Sequence, residues 1–176
     1  SDQVPKIEDN FEQIISPETA YQMISMLEGV VQRGTGRKLK HLNLNLAGKT
    51  GTTNNNTDTW FIGFTSKLVV GIYVGFDEPA SLGRYETGGK TAMPIFKKFI
   101  LNSISKQDAT PFKVPDGIVM MVVDPATGQK VDFNSKNSIY ESFKEKNISE
   151  ADIENNYNDL IFNNSKVGTK EIIRFY

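Results

Sequence analysis

The chain has 176 residues, with Lys+Arg 20 against Asp+Glu 21, 38% hydrophobic residues, Gly 14, Pro 7, Cys 0 and a single histidine. Length and composition fit one globular domain or a large part of one, and the lack of cysteine excludes disulfides and thiolate chemistry. A lone His41 argues against a histidine-rich metal site and a Ser-His-Asp triad, and a formal charge of -1 supplies no general basic field for nucleic acid.

In chain order, Ser16-Pro17-Glu18 predicts a helix start, with Ser16 as cap and Pro17 at the first helical position. Ala20, Met23, Ile24, Leu27, Val30 and Val31 recur at helical spacing and predict a buried face, which Gly34-Thr35-Gly36 ends. Arg37 to His41 is a basic loop. Leu42, Leu44 and Leu46 then alternate with polar residues, predicting a strand that runs into Lys49-Thr50-Gly51-Thr52. Asn54-Asn55-Asn56 breaks it. Trp60 to Thr65 and Leu68 to Phe76 predict an antiparallel hairpin turning at Ser66-Lys67, central in its sheet, with Trp60 in the core. Gly63, Gly71 and Gly75 within it mark places where a helix or another backbone comes close. A second helix is expected from Thr91 to Ile104, with an apolar stripe of Ile95, Phe96, Phe99 and Ile100. Pro111 to Pro115 is a linker. Beyond it, Gly117 to Asp124 and Pro125 to Val131 predict a small hairpin, Ser149 a cap for a short helix through Asp159, and Glu171 to Tyr176 a terminal strand or part of a mobile tail. The expected division is 1–110 and 111–176. The longest apolar stretch, Leu68 to Phe76, is far short of the roughly 20 residues of a membrane helix, and Ser1 to Asp9 is too acidic and polar for a signal peptide, so the chain as given is expected to be soluble.

The chemistry concentrates at Lys49-Thr50-Gly51-Thr52. On one strand edge this segment offers positive charge, two hydroxyl donors and a glycine that lets another backbone approach. A peptide ending in a carboxylate could add to such an edge as a strand, and backbone N–H groups there could face a developing oxyanion. Gly48-Lys49-Thr50 and Gly89-Lys90-Thr91 raise a phosphate-binding loop, but Asn43 and Arg84 stand where that motif needs its first glycine. Arg33, Arg37, Lys38 and Lys40 form a short positive run, most simply a solvated face.

Lys-Thr-Gly is one of the three motifs of penicillin-binding proteins and β-lactamases, and its flanks strengthen the resemblance. Ser16-Pro17-Glu18-Thr19-Ala20-Tyr21, Gly29 to Gly36, Ala47 to Thr53, Asp58 to Thr65, Val74 to Asp77 and Thr87 to Ala92 together resemble the bifunctional, class A penicillin-binding proteins of the 1A type. Asp124 to Gly128 and Ile139 to Phe143 resemble them less closely. The resemblance implies an α+β fold, part of the penicillin-binding or serine β-lactamase-like transpeptidase fold, with an antiparallel sheet packed by helices. It implies a serine D,D-transpeptidase of peptidoglycan that attacks D-Ala-D-Ala stem peptides, is acylated by β-lactams, needs no cofactor or metal and acts outside the cytoplasmic membrane. Carried across, Lys49 and Thr52 are catalytic, Lys49 through its charge and proton transfer and Thr52 through a backbone N–H in the oxyanion hole. Thr50, with the Thr52 hydroxyl, binds the substrate carboxylate, while Gly51, Thr53 and Asn54 line the site.

One departure matters. The family places Ser-x-x-Lys and Ser-x-Asn before Lys-Thr-Gly, and neither occurs upstream of Lys49. Ser103-Ile104-Ser105-Lys106 and Ser135-Lys136-Asn137 match in the wrong order, as accidental patterns in such a composition would. The expectation is the C-terminal part of a transpeptidase domain, inactive alone, whose missing half carries the nucleophile and whose parent carries a membrane anchor and glycosyltransferase domain. Its uncovered surfaces are expected to drive dimerisation or strand exchange. The alternative is a non-catalytic penicillin-recognition or cell-wall interaction module.

Overall fold

Ser16 and Pro17 start the first helix as their chemistry dictates. Ser16 is extended and its hydroxyl accepts the Thr19 N–H at 3.3 Å, Pro17 opens the first turn, and α1 runs Pro17–Gln32. The structure, a computed structural model, describes residues 12–105, 109–132 and 134–156. Val31 is buried, but Met23, expected on the same face, is half exposed. Beyond α1, the N–H groups of Gly34 and Gly36 both donate to the Val30 carbonyl, at 3.1 and 3.0 Å, folding Gly34-Thr35-Gly36 around the helix end.

The strand expected from Leu42 is absent. Arg37–Leu42 is a 3₁₀ helix, and Asn43 (φ 53°) is left-handed, which interrupts any extended run. Leu42, Leu44 and Leu46 alternate because an irregular segment presents each of them to one core. Extended backbone begins at Ala47. The strands β1 (Ala47–Thr52), β2 (Asp58–Phe64) and β3 (Val69–Gly75) form an antiparallel sheet in the order β1-β2-β3. The β2–β3 hairpin matches the expectation, its turn tightened by the buried Thr65 hydroxyl, which accepts the N–H groups of Lys67 and Leu68 at 3.1 Å each. Only β2 is central among the described strands; β1 and β3 are edges.

Register sorts the sheet into two unlike faces. Thr50, Phe61 and Ile72 are cross-strand neighbours on one face, and Lys49, Ile62 and Gly71 on the other. The first face packs on α2 (Ala92–Ser103), where Met93, Phe96 and Ile100 close over Phe61 with the Phe61 and Phe96 rings 4.8 Å apart. Burying each such side chain contributes about 1.5–3 kcal/mol. Gly63 lets the helix come this near, since a Cβ there would lie 2.6 Å from the Phe96 ring. The helix stripe is rotated from its expected position: Met93 is buried, whereas Ile95 and Phe99 are 49% and 44% exposed.

The opposite face is open. Trp60, Ile62, Val69 and Tyr73 are exposed there, and Trp60 stacks obliquely on Tyr73 at 4.8 Å instead of entering the core. The correction follows from parity, because Trp60 sits one residue out of phase with the buried Thr59 and Phe61.

A second, smaller sheet pairs β4 (Ile118–Val123) with β5 (Ile139–Lys144). The hairpin expected over Gly117–Val131 is therefore corrected. The Asp124–Gln129 turn forms, but Lys130 makes one bridge to Val123, and the true partner strand arrives later in the chain. This unit docks on α1 through polar contacts: Gln22 Nε2 donates to Ser142 O (3.1 Å), Ser25 Oγ to Glu141 Oε1 (3.2 Å) and Lys144 Nζ to Thr19 Oγ1 (2.6 Å). Ser149 caps the helix at 150–156, its Oγ accepting the Asp152 N–H at 3.2 Å, and Asn156 reaches back to Met120 O at 3.0 Å. The rest of that expected helix and the terminal strand at Glu171 to Tyr176 lie outside the described residues.

Candidate active site

The Lys-Thr-Gly segment lies on β1, whose outer edge has no strand neighbour among the described residues. Thr53 N–H donates to Asp58 O at 3.0 Å, which sets the phase of the ladder. In an antiparallel pair the direction of the backbone groups alternates, so the N–H and C=O groups of Thr50 and Thr52 point away from β2 toward the open edge. Lys49 Nζ turns onto this edge, donating to Thr50 O at 2.8 Å and lying 3.5 Å from Thr50 Oγ1. The segment thus presents two outward peptide units, an ammonium group and two hydroxyls.

Each hydroxyl has a defined neighbour. Thr52 Oγ1 accepts the Gly88 N–H at 3.0 Å, which fills a lone pair and leaves its O–H to donate. Thr50 Oγ1 lies 3.0 Å from Thr35 Oγ1. Gly51 and Gly88 make the local packing possible: a side chain at 88 would run into the carbonyl oxygens of Trp60 and Gly51, so the Thr87–Thr91 segment can press its backbone on the sheet only as glycine.

Thr53 and Asn54 differ from the others. The Thr53 hydroxyl is engaged inside the chain, accepting the Asp58 N–H at 2.8 Å and sitting 2.8 Å from Thr57 Oγ1. Asn54 is exposed at the start of the Asn54–Asn56 turn. Asn55 and Asn56 take positive φ (59° and 54°), a conformation asparagine tolerates, and Asn56 ties in the loop after β3 by donating to Glu86 O (2.5 Å) and accepting from Leu82 N–H (2.9 Å). Reading the sequence missed Thr35, Asn56 and Gly88 as neighbours of the site. Gly34-Thr35-Gly36 was legible as a helix stop, and Gly88 only as part of the Thr87 to Ala92 stretch.

Away from this edge, burial pushes the Glu28 carboxyl on α1 up to about 7, and burial together with the Glu28 charge raises the Tyr21 hydroxyl. The Asp58 carboxylate, accepting from the Tyr73 hydroxyl at 2.8 Å, raises that phenol.

Known proteins resemble this chain in sequence and fold. Residues 5–101 match the family described as "Penicillin binding protein transpeptidase domain". The chain is 44% identical over 160 residues to penicillin-binding protein 1A of Rickettsia bellii, covering 88% of this chain and 20% of that protein. It is 42% identical over 134 residues to penicillin-binding protein 1A of Pseudomonas aeruginosa, covering 76% of this chain and 16% of that protein. The crystal structure of penicillin-binding protein 1A from Haemophilus influenzae superimposes with a TM-score of 0.63 at 32% identity, over 73% of this chain and 20% of that one. The chain thus spans about a fifth of the length of these relatives. Helices packed on antiparallel sheets, as in that neighbour, make this the α+β arrangement of a partial penicillin-binding fold. With its Lys-Thr-Gly segment on an open strand edge, the chain belongs to the penicillin-binding protein transpeptidase family.

Proposed function

We propose that this chain supplies the Lys-Thr-Gly side of the active site of a serine D,D-transpeptidase that cross-links peptidoglycan stem peptides and is acylated by β-lactams. The observation that carries the reading is the open edge of β1, where the outward peptide units of Thr50 and Thr52 stand beside the Lys49 ammonium. A D-Ala-D-Ala peptide added along this edge would pair with those groups, and its terminal carboxylate would accept from the Thr50 and Thr52 hydroxyls within the field of Lys49. The Thr52 N–H faces the side on which a carbonyl under attack would develop its negative charge, a position worth about 100- to 1,000-fold in rate where such a donor has been removed. Lys49 leaves Thr50 O when the peptide strand pairs, and its ammonium then assists proton transfer. Gly51 keeps the strand surface flat, and Thr53 and Asn54 form the rim.

The nucleophile is the serine of a Ser-x-x-Lys, which does not precede Lys49 here, so these 176 residues alone do not acylate. Loss of a serine nucleophile costs about a millionfold in a comparable hydrolase. The working enzyme joins this chain to its upstream sequence and acts where peptidoglycan lies, outside the cytoplasmic membrane. Among the described residues no helix is long and apolar enough to cross a membrane.

The test is the acylation rate of the full-length protein by a fluorescent penicillin. Lys49→Ala is expected to lower it about 10- to 100-fold, as loss of a charged hydrogen-bond partner does. An unchanged rate would reject the assignment, and full-length protein that never acylates would favour a non-catalytic recognition module.

A further inference from the structure

We propose that Thr35 is a positioning residue that sets the Thr50 hydroxyl as a donor to the carboxylate of the bound peptide or β-lactam. The inference rests on the reading of Thr50 given under Proposed function.

Thr35 is held from both sides. The N–H groups of its neighbours Gly34 and Gly36 both end on the Val30 carbonyl, Gly36 is buried, and the Thr35 carbonyl borders Gly89. The turn therefore delivers the Thr35 hydroxyl to one place, 3.0 Å from Thr50 Oγ1. No other hydrogen bond to the Thr35 hydroxyl is found among the described residues.

The proton count then leaves the direction of this bond to the ligand. A hydroxyl has one hydrogen and two lone pairs. Lys49 Nζ, 3.5 Å from Thr50 Oγ1, can only donate. If Thr35 also donates, both lone pairs of Thr50 are engaged and its own hydrogen is left for the ligand. A carboxylate is the strongest acceptor in such a chain, so a bound anion selects the order Thr35 to Thr50 to carboxylate and each bond polarises the next. Thr52 reaches the same donor state by a different route, through the Gly88 N–H, which can only donate to it. Two loops distant in sequence, 34–36 and 87–89, thus orient two hydroxyls on the same sheet face.

The test uses the full-length protein, a fluorescent penicillin with its ring carboxylate free, and the same penicillin as a methyl ester. Thr35→Val is expected to slow acylation by the free acid about three- to tenfold, the range of one neutral hydrogen bond, without slowing the ester. Thr35→Ser should restore the rate, and Thr35→Val should add nothing in a Thr50→Val background. Thr35→Ala, which adds no atoms, serves as the second deletion where valine disturbs the turn. Equal effects on acid and ester, effects that multiply with those of Thr50→Val, or an unchanged acid rate would each overturn the inference. If Thr50→Val slows the acid and Thr35→Val does not, only the role of Thr35 falls. If Thr50→Val has no effect, the carboxylate assignment of Thr50 falls with it.

Discussion

The hydroxyls of Thr59 and Thr91 lie 2.6 Å apart, joining the fully buried start of β2 to the residue at the N-cap position of α2. Thr91 Oγ1 also donates to Thr87 O at 2.9 Å, so Thr59 is the donor in the shared bond. The two threonines are therefore unequal. Thr59→Val removes a donor and leaves Thr91 satisfied, a loss of about 0.5–1.5 kcal/mol. Thr91→Val leaves the Thr59 hydroxyl unpaired in the core, at about 1–3 kcal/mol more. Urea unfolding of the two variants should rank Thr91→Val as the less stable, and equal midpoints would contradict the bond direction.

Gly88→Ala tests the contact between the second loop and β1. Its methyl group would meet backbone carbonyl oxygens, which cannot swing aside, so the loop must shift and the Gly88 N–H must leave Thr52. The expected outcome is about 1–3 kcal/mol of lost stability together with slower penicillin acylation of the full-length protein. Wild-type values for both would show that the loop has room to spare.

Glu28 makes stability depend on pH. Its carboxyl is raised by burial from 4.5 to about 7 in the folded chain, so between those values the folded state holds a proton that the unfolded state has released. Stability from this group falls as pH rises through the window and its loss is complete above about 7, reaching roughly 3 kcal/mol. Glu28→Gln should leave stability near pH 4.5 little changed and raise it at pH 8. Urea titrations at the two pH values check this, and a variant no more stable than wild type at pH 8 would contradict it.

The open sheet face has a measurable consequence as well. Trp60, Ile62, Val69 and Tyr73 are 42%, 48%, 69% and 49% exposed on neighbouring strands, next to two sheet edges. Contiguous apolar surface of this kind drives association. Sedimentation velocity of the isolated chain is expected to show self-association that rises with concentration, and Ile62→Lys with Val69→Lys is expected to abolish it. A clean monomer at high concentration would contradict the prediction.

What could be foreseen from the residues follows the range of the interactions. The start of α1 was legible because Ser16 and Pro17 act on their own turn, and the β2–β3 hairpin because its strands are adjacent in sequence. Leu42, Leu44 and Leu46 misled because a period of two is shared by a strand and by an irregular segment that feeds one core, and the left-handed Asn43 carries no strong signal of its own. Strand β5 was missed because its partner precedes it by a long connection, while the Asp124–Gln129 turn advertised a nearer one. At the candidate site, Lys49 to Thr52 stood out as a motif. Thr35 and Gly88 did not, since their contacts with Thr50 and Thr52 exist only once α1 and the loop before α2 are folded against β1.

The most direct measurement is the intact mass of this chain after exposure to a reactive penicillin, beside the same chain extended upstream by its native coding sequence. A single penicilloyl adduct is expected on the extended chain and none on the 176 residues. An adduct on the shorter chain would mean that a serine within it, such as Ser103, is a true nucleophile, and would contradict the assignment of this chain to the Lys-Thr-Gly side alone.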